Sequence, residues 1–320
     1  MIRRVAITGA TGFIGRHLTA RLASRGVSVH AVQRPESRQP APEGATVVRA
    51  ALDAGSLAPV FAQVDAVVHL AGVVSSTRAR DFTDVNVAGT QAVARAARAA
   101  DVPVIHVSSL AAAGPAAPSA PRGEADASRP VTPYGRSKLE GERVIAAEQG
   151  LRWTILRPGV VYGPGDRAML PLFALARRGV LPLVGRATAA FTFVYVDDLV
   201  RAIVAALDLP ARQDTLFVGH PEPVATRGLL EDIRSVVGGG AIIVPIPMLL
   251  TRAAALAGEL AGALAGRPMT INRSRYTELA SEGFVCRVDR LREQLGIVAE
   301  VDLRTGLTRT AEWYRKEGWI

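Results

Sequence analysis

The sequence predicts an α/β chain: a Rossmann-type doubly wound parallel sheet with a smaller, mostly helical C-terminal cap. Three observations point there. Roughly the first two hundred residues alternate short β-branched runs with longer helical patterns, as parallel strands joined by crossover helices do. A glycine-rich turn, residues 9–15, follows the first such run. The chain of 320 residues, 49% hydrophobic and 21% charged, is also long and apolar enough to bury a full core.

Strands are expected at 4–8, 28–33, 46–48, 66–69, 104–108 and 153–156, where β-branched residues cluster between turn signals. Helices are expected at 13–24, 85–100, 133–148 and 198–207, where apolar residues recur at helical spacing. The stretch 111–130 is small-residue, proline-rich and dotted with acids, and reads as a loop over the mouth of a site. Residues 191–196 read as a strand rejoining the sheet, with Pro221 and Pro223 marking a boundary after it. Helices dominate beyond, with Thr226 and Asp289 as expected N-caps. Residues 1–165 and 191–222 are thus expected to form a nucleotide-binding unit, residues 166–190 and 223–320 the cap, with a substrate cleft between them.

Composition excludes several classes. The one cysteine, Cys286, rules out a disulfide framework and a cysteine zinc site, and fits a reducing cytoplasm. The five histidines show no ligand spacing, so no metal is expected. A net charge of +9 is spread along the chain without a nucleic-acid module, which points to a solvated surface and no nucleic-acid partner. Met1 leads straight into a strand-like run, so no signal peptide is expected. The Ala/Leu-rich stretch 246–266 is broken by Arg252 and Glu259, and reads as a lid or dimer helix rather than a membrane span.

The glycine turn Thr8-Gly9-Ala10-Thr11-Gly12-Phe13-Ile14-Gly15 sits between a strand and an amphipathic helix, where a first βα turn belongs. Gly9 permits the tight turn, Gly12 a close approach to a pyrophosphate, and Gly15 close helix packing, while the helix start supplies free N–H groups. Nucleotide choice is written at the end of the second strand. There Gln33-Arg34-Pro35 offers no carboxylate for ribose hydroxyls, and Arg34 can pair with a 2′-phosphate, so NADP is preferred over NAD. An Arg34 that stacks on the adenine or faces solvent is the alternative.

Thr132-Pro133-Tyr134 opens a helix with a cap and a proline at its first position, and places Tyr134 and Lys138 one turn apart on one face. Lys138 is one of only two lysines. An ammonium beside a phenol, whose free pKa is about 10, stabilises the phenolate and lets the tyrosine exchange a proton with a substrate oxygen. Ser108 or Ser109, at the end of a strand, is placed to polarise that oxygen.

These residues together resemble the extended short-chain dehydrogenases/reductases, often called the NAD-dependent epimerase/dehydratase family. The resemblance also rests on His69-Leu70-Ala71-Gly72, Asn86-Val87-Ala88-Gly89-Thr90, the run from Leu156-Arg157-Pro158 to Gly165, and Val196-Asp197-Asp198-Leu199. It implies Tyr134 as acid/base, Lys138 on the nicotinamide ribose lowering the tyrosine pKa, and Ser109, five residues before Gly114, on the substrate oxygen. It further implies a cofactor lining of Gly9, Thr11, Gly12, Phe13, Ile14, Arg34, Leu52, Leu70, Ala71, Gly72, Asn86 and Pro158, beside Tyr134 and Lys138. Departures bear on substrate. Where sugar-nucleotide members carry an Asn, an Arg and a His, this chain has Val160, Phe191 and Tyr195, and an adenine-side Asp is replaced by Ala51, with Asp53 two residues on. The expectation is hydride transfer to or from a secondary alcohol or ketone, with a sugar-nucleotide epimerase/dehydratase retaining NAD, or a non-catalytic NADP-binding protein, as alternatives. By analogy a homodimer through the alanine-rich helices 85–100 and 133–148 is expected.

Overall fold

The computed structural model describes residues 2–266, 269 and 272–320. Its strands up to residue 218 are, in chain order, β1 Arg4–Thr8, β2 Ser28–Gln33, β3 Ala45–Arg49, β4 Ala66–His69, β5 Val104–Val107, β6 Trp153–Pro158, β7 Val160–Tyr162, β8 Val180–Val184, β9 Ala190–Phe191, β10 Phe193–Tyr195 and β11 Asp214–Val218. The main sheet runs β11-β6-β5-β4-β1-β2-β3, and every pairing in it is parallel. Strand order therefore reverses between β1 and β4, which opens a crevice at their carboxyl ends. Alternation along β1 shows both faces covered. Val5 and Ile7 pack with Leu18 and Leu22 of the helix Phe13–Ser24, while Ala6 packs on the other side with Phe61 and Val93.

Several local expectations change. Residues 191–196 do not rejoin the main sheet: β10 pairs with β7, and Phe193 and Tyr195 meet Tyr162 edge-on within a separate aromatic cluster. The outer strand is β11 instead, a segment whose polar start, Asp214-Thr215, disguised it. The helix expected at 85–100 is a π-helical turn, Phe82–Gly89, continued by the α-helix Thr90–Ala99. Thr226 is the first residue of its helix rather than the cap, and its hydroxyl donates to the carbonyl of Ala189 at 2.9 Å. Asp53 caps an unanticipated helix, Ala54–Phe61, by accepting from the Ser56 backbone N–H at 2.9 Å. The loop 111–130 is tied down along residues 283–287, with Ala116 N–H bonded to Gly283 O and Arg122 N–H to Val285 O.

Polar groups thread the sheet centre. His69 lies between the hydroxyls of Thr8 (2.6 Å) and Thr90 (2.9 Å) and stacks on His106 at 5.1 Å. Burial, reinforced by the charge of Lys138, pushes His69 down to about 3, so the imidazole is neutral. Glu142 of the helix Pro133–Ala147 is buried against Arg157 of β6 in a two-pronged pair, Nε to Oε1 at 2.9 Å and Nη2 to Oε2 at 2.6 Å. Ser108 donates to the same carboxylate and Ser128 accepts from the guanidinium at 3.1 Å. Removing one partner strands a buried charge, so Arg157→Met is expected to cost about 3–5 kcal/mol in urea denaturation, part of which returns when Glu142→Leu is added. Equal losses in the single and double variants would show that other contacts hold the helix.

Candidate active site

The helix Pro133–Ala147 starts where the sequence says it should: the Thr132 hydroxyl accepts from Gly135 N–H at 3.1 Å, and Pro133 occupies the first position. Two glycines let this helix press onto its neighbours. A Cβ on Gly135 would lie 2.4 Å from the Ala111 carbonyl oxygen, and one on Gly141 would lie 2.6 Å from that of Asn86. The first approach brings Tyr134 to Ser109, which caps the short turn Leu110–Ala113 by accepting from Ala111 N–H at 3.1 Å. The second brings Ser137 to Asn86, whose amide donates to the Ser137 hydroxyl at 2.9 Å and clamps Val73 from both sides, at 2.7 and 2.9 Å. Asn86 thereby links the segment after β4 to the tyrosine helix.

The two serines separate by partner. Ser108 is buried on Glu142, whereas Ser109 neighbours Tyr134 and favours its ionised form. Lys138 is buried and donates to the carbonyl of Val107 at 2.9 Å. Burial pulls this lysine down to about 8, against the opposing charge of Glu142. Burial pushes the Tyr134 phenol up to about 12; the neighbouring Ser109 works against that rise and Glu278 adds to it. Desolvation of a phenolate outweighs the neighbouring groups and sets the direction of this shift.

Around the β1–β4 crevice the glycines are forced by contact. Gly9 has φ +77° and a Cβ there would meet Ala71 N at 2.7 Å, while one on Gly15 would meet Gly9 O at 2.4 Å. Gly12 is exposed and Gly72 faces Asn86 and Lys138. Ala71 N–H reaches the Thr8 hydroxyl at 3.5 Å, and Leu70 and Ile14 pack against the core beneath. The Thr11 carbonyl accepts from Arg16, which also reaches the carbonyl of Pro40 at 3.4 Å and so draws the segment after β2 toward the glycine turn. Phe13 stands edge-on to His17 at 5.5 Å. Leu52 packs over Gly89, and Pro158 is buried at the end of β6. Arg34 is exposed beside Glu36 at 3.4 Å. Gln33, which sequence reading passed over except as a missing carboxylate, ends β2 buried with neither its amide oxygen nor its nitrogen partnered among the described residues. An unpaired buried amide and a glycine cradle at a helix start fit the ribose and pyrophosphate of a dinucleotide. The signal for Gln33 was its position, one residue before Arg34.

A cavity of about 650 Å³ adjoins Tyr134. Its wall combines Val74, Phe82 and Pro133 with Gly258, Gly262 and Met269, so both the sheet-bearing part and the C-terminal helices contribute. The arginines that line it are engaged: Arg273 pairs with Glu259 at 2.8 Å and Arg275 with Glu278 at 3.2 Å. Arg186 pairs with Glu282 at 2.9 Å and does not line the cavity. Val160 and Phe191 pack against the aromatic cluster, Phe191 stacked on Phe284 at 6.3 Å, and Tyr195 is buried under Arg309. A second cleft of about 350 Å³, near Tyr162 and His220, shares no lining residue with the first. Among the described residues no group of three His, Cys, Asp or Glu side chains is placed to hold a metal ion.

Comparison with known proteins extends this geometry. A ceramide reductase from Caulobacter vibrioides is 31% identical over 327 residues, covering 99% of this chain and 96% of that protein. Sterol demethylase protein B from Methylococcus capsulatus is 31% identical, covering 98% and 99%. Among solved structures, MoeE5 in complex with UDP-glucuronic acid and NAD superimposes with a TM-score of 0.79 at 26% identity, covering 98% of this chain and 99% of that one. Reductases, dehydrogenases and epimerases recur among these relatives, all of them enzymes. The family model for the NAD dependent epimerase/dehydratase family matches residues 5–219, the stretch that holds the crevice, Ser109, Tyr134 and Lys138, and the chain belongs to that family.

Proposed function

We propose that the protein is an NADP-preferring reductase of a neutral, largely apolar ketone, with Tyr134 as the proton donor. The observation that carries this reading is the cavity beside Tyr134, whose lining arginines are both tied to carboxylates. A diphosphate entering it would have to break one of these exposed pairs to gain a cation, and the carboxylates of Glu259 and Glu278 would repel it. Ceramide and sterol, in the names of the two relatives, are likewise apolar molecules. In this reading residues 1–165 and 191–222 hold the cofactor, while 166–190 and 223–320 complete the substrate side.

The bound nicotinamide supplies or accepts the hydride. Ser109 and Tyr134 hydrogen-bond the substrate oxygen from one side. With its phenol near 12, Tyr134 keeps its proton at neutral pH and is ready to donate it to the oxygen of a carbonyl being reduced. Lys138, one turn away, stabilises the phenolate left behind. Asn86 and Ser137 hold the segment after β4 and the tyrosine helix in register. Gln33 and Arg34 take the adenosine end, where Arg34 must leave its exposed and therefore weak pair with Glu36. A sugar-nucleotide epimerase retaining NAD is the second reading, favoured by the match to MoeE5 with its UDP-sugar and NAD. Dimerisation through the helices at 85–100 and 133–148 stays within the proposal, although their outward side carries Arg95, Arg98, Arg136, Glu140 and Arg143.

Tyr134→Phe is expected to lower kcat by about 100-fold or more and leave the cofactor dissociation constant nearly unchanged; equal turnover by the variant would remove Tyr134 from the reaction. Wild type should bind NADPH more tightly than NADH, and Arg34→Ala should abolish the difference by weakening NADPH alone. An NADH preference, or selectivity that survives the substitution, would overturn the assignment of Arg34. On the substrate side, UDP at high concentration should leave the melting temperature unmoved while apolar ketones oxidise NADPH. Tight binding of a UDP-sugar, with protein purified already carrying NAD, would favour the epimerase.

A further inference from the structure

The helix Met248–Ala265 has only one narrow seam against the protein. Thr251, Ala255 and Gly262 are buried and recur at spacings of four and seven, as one stripe of a helix does. On the opposite side, at seven- and four-residue spacings, stand Leu249, Leu256, Leu260 and Leu264, with Leu250 beside them. Leu249 is 77%, Leu260 70% and Leu264 91% exposed. Arg252 and Glu259 fall on one flank, and the leucine side carries no charge. The segment has a mean hydropathy of 1.3, yet its 18 residues reach only about 27 Å and the buried seam ties it to the protein. A helix in this position lies on an apolar surface rather than crossing one.

The same helix lines the cavity beside Tyr134 through Gly258, Glu259, Gly262 and Ala263. At about 100° per residue, Ala263 falls between that lining and the leucine ridge, so the two surfaces adjoin around the helix. Exposed Val74 and Met269 continue the apolar rim into the cavity wall. Charge agrees with an anionic surface: residues 248–280 hold four arginines against two glutamates. Both glutamates are already paired, with Arg273 and Arg275, which among the described residues leaves Arg252 on the flank of the ridge. A second copy of the chain fits less well, because five leucines at on the order of 100 Å² each fall short of the roughly 800 Å² per partner of a specific interface.

We propose that the leucine face of Met248–Ala265 docks on an anionic lipid bilayer, and that an apolar substrate passes from the bilayer over Ala263 into the cavity beside Tyr134. The proposal rests on the ketone-reductase reading for its substrate, but the docking itself is measured without turnover.

The test is flotation of the purified full chain with vesicles of phosphatidylcholine, with and without phosphatidylglycerol. Wild type is expected to float, more so with phosphatidylglycerol. Leu260→Glu/Leu264→Glu, at two exposed positions outside the cavity wall, should bind at least about tenfold more weakly. The same variant should reduce a short water-soluble ketone at the wild-type rate and lose most turnover of a long-chain ketone embedded in vesicles. Arg252→Glu keeps the leucines and should lose only the preference for phosphatidylglycerol. Wild type that fails to float, or a double variant that floats equally well, overturns the docking. A dimer in light scattering that the double variant disperses assigns the face to a second copy and also overturns it. Vesicle binding without reduction of any ketone supports the docking and overturns the reductase reading; reduction of soluble ketone without vesicle binding does the reverse.

Discussion

The buried carboxylate of Glu142 is the constraint on which the site depends. It lies on the same helix as Tyr134 and Lys138, receives Arg157 from β6 through two hydrogen bonds, and receives the hydroxyl of Ser108 from the end of β5. Three chain segments are thereby fixed at one point beneath Tyr134 and Lys138. A buried ion pair of this kind is weak evidence for net stability, since desolvation offsets its Coulombic attraction, but its directional bonds allow little freedom in how the segments meet. Ser109 is aimed at Tyr134 because Ser108 is held facing the other way.

Glycine supplies the complementary device. Gly135 and Gly141 face carbonyl oxygens at distances that no side chain would permit, and Gly9 and Gly15 do the same around the dinucleotide turn. The tyrosine helix is thus drawn down onto its neighbours by missing atoms and held there by Glu142 and by the Asn86–Ser137 contact. Burial follows from this closeness. It holds the phenol of Tyr134 in its protonated form and lowers the affinity of Lys138 for its proton, so packing and acid/base character are one property of the site.

On the substrate side, composition matters through pairing. The family includes proteins whose names carry sugars and others whose names carry lipids, on one architecture. Here the arginines that line the cavity pair with carboxylates on the same or the adjoining helix, and the helix that completes the wall turns its leucines outward.

The sequence by itself determined the strands that build the sheet core, the glycine turn, the cap and proline that open the tyrosine helix, and the one-turn spacing of Tyr134 and Lys138. Each of these is local: backbone conformation and side-chain period are set within a few residues. Only the tertiary structure decided what depends on segments meeting. It gave Ser108 and Ser109 different surroundings, since Glu142 and Tyr134 both lie on the distant tyrosine helix. It left the amide of Gln33 buried and unpaired, a property no neighbour in sequence could reveal. It sent residues 191–196 to β7 and the aromatic cluster, because large rings gain more from packing on one another than a β-branched pattern predicts. It also decided the state of Tyr134. The phenol and the ammonium are close in sequence, but the pKa follows the burial of both, which comes from the whole fold closing around them.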